Sequence, residues 1–364
     1  MKNKVVVAGH ICLDITPIIP GNKYTKIEQV LSPGKLLQVQ SADIHTGGAV
    51  ANTGLAMKFF GADVTLMGKL GDDEFGSLVQ KILAEQHVNQ NMIIDPDSTT
   101  SYSIVLAPPG LDRMFLHNSG ANDTFQYDDV DWYILRDAKM FHFGYPTLMK
   151  KMYSDQGQEL VRIFRKLKEM NIAASLDMAA MDANSEAGRV DWEEILKRVL
   201  KYVDFFVPSY EELRFMLHRA KNDGNDDNIS IDKDVRPMAE MLLEWGAKVV
   251  LIKCGAQGIF YKTADAEKMT GLTGLLGLNP DEWADKEGFE KSYHADRVLS
   301  ATGAGDTSIA AFLAAVLEKR SLHTCMQLST AAGASCVEAY DALSGLRSFE
   351  ELEKKIRNGW KKNP

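Results

Sequence analysis

No stretch of this chain approaches the ~18 consecutive apolar residues of a membrane-spanning helix, so no span is expected. The opening Val5-Val6-Val7-Ala8-Gly9 is too short for the apolar core of a signal peptide, and Asp14 follows it closely. Cysteine is scarce. Cys12, Cys254, Cys325 and Cys336 lie scattered in apolar stretches with no CxxC pair. That pattern argues against a disulfide or zinc framework and fits buried thiols in a reducing cytoplasm. Positive charge is not in excess: 41 Lys and Arg stand against 50 Asp and Glu, a net charge of −9. A surface this acidic has no general attraction for nucleic acid. The eight histidines form no HExxH grouping, and the sixteen methionines are scattered like core filler. GxxxxGK[ST] is absent, which removes the P-loop enzymes; Val5 to Asp14 holds no GxGxxG, which leaves a dehydrogenase without its fingerprint.

What is present is enough apolar sequence for a large core: 45% of 364 residues are hydrophobic, which suits one domain over 1–364. Short apolar runs alternate with helical patterns. Strands are expected at 5–9, 63–68, 139–143, 173–177, 204–207 and 248–253, with helices at 47–60, 74–86, 151–169, 191–201 and 235–246. Such alternation predicts an α/β fold with a mostly parallel sheet covered on both faces. Residues 15–45 and 98–118 read instead as short strands, and they are expected to pair as a small lid. Two stretches read as insertions: 219–234, polar, acidic and loop-like, and 263–292, longer than a simple connection needs.

Several motifs carry chemistry. Thr302-Gly303-Ala304-Gly305-Asp306 precedes the apolar run Ile309 to Leu317, a buried helix. The free N–H groups of such a helix start, with its dipole, favour an anion, as phosphoryl transfer requires. A carboxylate there can take a proton from an attacking hydroxyl. The plainer alternative makes the glycines a tight turn and Asp306 a helix cap. Gly47-Gly48-Ala49-Val50-Ala51-Asn52 is a second glycine-led helix start; glycine allows close backbone approach to a ligand, and the Asn52 amide can bond hydroxyls. A turn with a surface Asn explains it equally well. Asp14 follows the first strand, where α/β sheets place ligands, or is a solvated loop residue. Lys253 to Gly258 follows another strand and is either a hairpin or a backbone platform beside a nucleotide. Ser209 and Glu212 fit an S-x-x-E capping box; Glu212 could also act on a hydrated Mg²⁺.

Taken in order, these elements resemble the ribokinase-like (PfkB) carbohydrate kinases over essentially the whole chain. Two signatures carry the resemblance: Gly47 to Asn52 through Gly68-Lys69-Leu70-Gly71-Asp72-Asp73-Glu74-Phe75-Gly76, and Thr302 to Asp306. It implies a three-layer α/β/α body with a β lid, and phosphorylation of a small sugar or related alcohol by Mg-ATP. By position, Asp306 resembles the catalytic base, and the N–H groups of Gly303, Ala304 and Gly305 the anion hole. Asp14, Gly47, Gly48 and Asn52 match sugar-side positions. Lys253, Gly255, Gly258 and Ser209 match nucleotide-side positions, and Glu212 a glutamate that reaches Mg²⁺ through water. Arg113 to Asn122 resembles a lid-to-body strand. Ser300 stands where the family often has Asp, which leaves monovalent-cation activation open. A nucleoside kinase on the same fold, with Tyr24, Tyr102 or Phe115 stacking a base, and a non-catalytic sensing protein remain alternatives. A homodimer through the lid is expected from its exposed strand edges.

Overall fold

The computed structural model describes residues 4–21, 23–111, 113–217 and 229–364. Thirteen strands are found among these: β1 Lys4–Gly9, β2 Cys12–Pro17, β3 Ala42–Gly47, β4 Asp63–Gly71, β5 Asn89–Asp95, β6 Tyr102–Leu106, β7 Met114–Asn118, β8 Met140–Gly144, β9 Ala173–Asp177, β10 Phe205–Phe206, β11 Val249–Lys253, β12 Gly258–Thr263 and β13 Glu287–Lys291. The described helices are α1 Gly48–Phe59, α2 Glu74–Glu85, α3 Lys150–Glu169, α4 Trp192–Val199, α5 Tyr210–Leu217, α6 Arg236–Glu244, α7 Ala266–Leu276, α8 Pro280–Trp283, α9 Ala304–Leu317, α10 Leu322–Cys336 and α11 Phe349–Arg357.

The large sheet runs β13-β12-β11-β10-β9-β8-β1-β4-β5. It is parallel from β5 through β11, and β12 and β13 add an antiparallel edge. Every residue of β8 and β9 is buried, as a sheet covered on both faces requires. Helices α1, α9 and α10 pack side by side in one layer, and α3, α4 and α5 in another. Helix α9 is buried from Asp306 to Leu317, which fits its being apolar on every side from Ile309 on.

A second sheet, β3-β2-β6-β7, is built from residues far apart in sequence. Asn122 ties it to the body: its amide donates to the Ile11 carbonyl at 2.9 Å and accepts from the Ile11 N–H at 3.2 Å. Residues 120–124 are a 3₁₀ turn rather than the continuation of a strand, so the link is a side-chain clamp. Between β2 and β3 the described chain has no further strand, only a short 3₁₀ turn at Ile27–Gln29, where short strands were expected.

Of the two expected insertions, one is described in full and the other only in part. Residues 263–292 are ordered structure: α7, α8 and β13, with β13 closing the sheet edge against β12. Of 219–234, residues 219–228 lie outside the described residues; Ile231–Val235 is a π-helical turn leading into α6, started by the Ser230 hydroxyl on the Lys233 N–H. All four cysteines are buried and free. No described helix is long and apolar enough to cross a membrane.

Candidate active site

The carboxyl ends of β1, β8, β9 and β11 converge where α9 begins, the position at which open α/β sheets bind ligands. A cavity of about 610 Å³ opens there between the two sheets, lined by Asp14, Gly48, Asn52, Tyr145, Gly303 and Asp306 among others.

Asp306 does not cap its helix. Gly303 holds the cap position with φ +73°, a left-handed conformation natural to glycine, and a Cβ there would meet the Cβ of Ala342 at 2.3 Å. The Asp306 carboxylate, 4% exposed, turns instead toward α1 and the end of β8. It accepts from Tyr145 Oη at 2.6 Å, Asn52 Nδ2 at 2.9 Å and Thr53 Oγ1 at 3.4 Å. Tyr145 itself has φ +66°, a strained state for a bulky residue that aims its hydroxyl at Asp306. Burial, then the neighbouring Asp306, holds that phenol well above its ordinary pKa, so it stays a donor. Of the three N–H groups expected to form an anion hole, that of Ala304 already donates to the Ala301 carbonyl at 3.3 Å.

The paired glycines of α1 make room for the protein's own side chains. A Cβ on Gly47 would lie 2.1 Å from Asp14 Oδ2, and one on Gly48 2.6 Å from His10 Nδ1. Asp14 therefore sits against the helix start, and burial raises its carboxyl above the usual range.

On the far side, Lys253 ends β11 and its Nζ lies 2.7 Å from Asp177 Oδ1 at the end of β9. The Lys253 stem runs beside Gly305 at the start of α9, where an added Cβ would meet its Cδ at 3.6 Å, an ordinary contact. Burial pulls Lys253 down, but the carboxylates of Asp177 and Glu212 outweigh it and hold the ammonium above its ordinary value. Burial pushes Asp177 up to about 7, and its second oxygen is buried without a partner. Ser209 and Glu212 form the capping box: Glu212 N–H donates to Ser209 Oγ at 3.2 Å, and Ser209 N–H to Glu212 Oε2 at 2.6 Å. Residues 253–258 are a hairpin turn; Gly255 faces open space, while Gly258 is needed because a Cβ would strike the Glu290 carbonyl at 2.2 Å.

The structure thus gathers Asp14, Gly48, Asn52, Gly303 and Asp306 on one cavity, with Gly47 against Asp14 rather than on the cavity wall; Lys253 lies beside Gly305, and Ser209 and Glu212 lie beside Lys253. Phe115 lines the cavity, whereas Tyr102 packs on Phe75 and Tyr24 bonds the Pro20 carbonyl. Sequence reasoning missed Tyr145, Asp177, His10 and His117. Tyr145 and Asp177 stand at the carboxyl ends of strands, a signal that could have found them.

Comparison with known proteins bears on the family and the fold. The model of the pfkB family carbohydrate kinases matches residues 2–348. An uncharacterized sugar kinase of Archaeoglobus fulgidus is 23% identical over 80% of this chain and 98% of its own length. Probable fructokinase-4 of Arabidopsis thaliana is 24% identical over 98% of this chain and 97% of its own. Among solved structures, Arabidopsis thaliana ribokinase complexed with ribose and ATP superposes with a TM-score of 0.71 at 20% identity, covering 98% of this chain and 99% of that one. A Methanocaldococcus jannaschii nucleoside kinase gives 0.67 at 17% identity, covering 98% of each chain. With a family model spanning nearly the whole chain over a ribokinase-like fold, this protein belongs to the pfkB family of carbohydrate kinases.

Proposed function

We propose that this chain transfers the γ-phosphate of ATP to a hydroxyl of a small sugar, with Asp306 as the general base. The observation that carries the reading is the Asp306 carboxylate, held by three donors at the start of α9 and open to the cavity beside Gly303. Tyr145 and Asn52 fix the orientation of its oxygens. A substrate hydroxyl between Asp14 and Asp306 loses its proton to Asp306 as it attacks. The dipole and first-turn N–H groups of α9 meet the charge that develops on the phosphoryl oxygens. Lys253, kept cationic by Asp177, places a positive charge behind Gly305.

The unpartnered oxygen of Asp177 and the nearby Glu212 fit a hydrated Mg²⁺, which keeps most of its waters. When bound, Mg²⁺ neutralises phosphate charge. The small sheet acts as the lid of this site, and two copies associate through its outer face.

Replacing Asp306 tests the reading. Asp306→Asn is expected to lose at least ~10²-fold in kcat in an ADP-release assay, the usual scale of general-base effects. Near-wild-type turnover by a folded variant would show that the base lies elsewhere.

A further inference from the structure

Residues outside the two glycine-led signatures line the alcohol side of the cavity. On β7, Arg113, Phe115 and His117 face it in alternation along one side, Arg113 just ahead of the strand. Below them lie Ser103 on β6, Cys12 and Asp14 on β2, and His10 after β1. Five of these side chains form one hydrogen-bonded chain. Cys12 Sγ lies 3.3 Å from Asp14 Oδ1 and 3.9 Å from Ser103 Oγ. Ser103 Oγ lies 3.1 Å from His117 Nδ1, and His117 Nε2 lies 3.3 Å from His10 Nε2.

The direction of every proton follows from one end. An ionised Asp14 only accepts. Burial keeps the Cys12 thiol protonated, so it donates to Asp14. The Ser103 proton points to the same carboxylate or to the Cys12 sulfur, since both lie beside it. Ser103 oxygen then accepts from His117 Nδ1–H. His117 Nε2, now without a proton, accepts from His10 Nε2–H. His10 Nδ1 is left as a bare lone pair, which matches its burial against Gly48 with no partner. Both imidazoles are neutral in this order.

We propose that His117 is a positioning residue for the acceptor alcohol: it fixes Asp14 through Ser103 and Cys12, and with His10 it makes this end of the cavity select uncharged polyols over sugar acids and sugar phosphates. This rests on the kinase reading above. His10 is 2% exposed, while His117 stays open to the cavity and within reach of a ligand. A hydroxyl suits this wall, because it can donate to Asp14 and accept in turn. An anionic group would face the carboxylates of Asp14 and Asp306 and find no cation in the chain. Arg113, the one Lys or Arg among the described lining residues, keeps its charge but directs it to the far end of the cavity, beside Ser300. Its Nη1 donates to Ser300 at 3.1 Å, and it stands four residues, roughly 13 Å of strand, from His117. His45, opposite Asp14 in the register, is paired with Asp43 at 2.8 Å.

The test uses the full chain, wild type and His117→Phe, His117→Gln and Ser103→Ala, in ADP-release assays over neutral sugars, polyols, sugar acids, sugar phosphates and nucleosides. Expected is turnover of an uncharged acceptor. Its KM should rise about tenfold or more in His117→Phe and less in His117→Gln, while KM for ATP and kcat move less than about threefold. Ser103→Ala, which keeps the fold if His117→Phe does not, should raise the same KM. Unchanged acceptor KM in the variants, or a wild-type preference for acids or phosphates, overturns the inference and leaves the kinase reading standing. If no alcohol is turned over, the kinase reading falls. The inference is then judged by thermal shifts with neutral and anionic sugars: stabilisation by neutral sugars that is lost in His117→Phe supports it, and equal shifts overturn it.

Discussion

At the scale of single residues, the site depends on side chains whose roles come from their neighbours. Ser300 illustrates this. Its hydroxyl oxygen accepts from Arg113 Nη1 and from the Thr302 N–H, both at 3.1 Å. A fixed guanidinium charge thus stands where the family often has a carboxylate, and like charges repel a further cation. These residues do not fit a monovalent cation. Exchanging potassium for tetramethylammonium at constant ionic strength is therefore expected to change kcat less than about twofold; strong activation by potassium would refute it. The sequence made the absence of an acid at Ser300 legible but not the arrival of Arg113 from a loop 187 positions away. Asp306, Asn52 and Asp14 were legible because glycine-led helix starts and a strand end mark them. Tyr145 carried only the weaker mark of a strand end, and His117 carried none, because tertiary structure alone brings it to the cavity.

At the scale of elements, the buried strands were the easiest to read. β1, β8, β9 and β11 are short apolar runs whose two faces are both covered, and α9 is a long apolar run behind two glycines. Within 15–45 the stretch 18–41 misled, because its glycines and prolines suit both loops and sheet edges. β8 also carries a buried titratable group. His142 is fully buried, its Nδ1 2.9 Å from Ser175 Oγ, and burial, with Lys253 adding, lowers its pKa from 6.5 to about 3. As pH falls below 6.5 the unfolded chain takes up this proton first. The contribution is therefore complete above that pH and is lost down to about 3. Asp177 acts in the opposite sense between 3.8 and about 7, so the comparison must be with a variant. Urea midpoints at several pH values between these limits should show a shallower acid loss in His142→Asn than in wild type. Parallel curves would contradict the assignment.

At the scale of the whole molecule, the small sheet has two unlike faces. The inner face carries Asp14, Ser103 and His117. On the outer face the registers Ile15–Ile44, Ile15–Ile104 and Ile104–Leu116 place four aliphatic side chains in one row across all four strands. Ile44 is 42% and Leu116 57% exposed. A row of this kind, on a sheet with open edges, suits a second copy related by two-fold symmetry. Sedimentation is expected to show a dimer for the wild type and a monomer for the Ile44→Lys, Leu116→Lys double variant. A monomeric wild type would remove the proposal.

The hydrogen bond from Asn52 to Asp306 joins positions 254 residues apart, one near the front of the chain and one in its last fifth. On a ribosome adding roughly 5–20 residues per second, some 13–50 s pass between the two. The cavity wall that carries Ser103 and His117 is completed part-way through that interval, and the Asp306 carboxylate arrives only at its end. A product terminated before Asp306 lacks both that carboxylate and the helix that carries it, so the cavity is assembled only when translation is nearly complete.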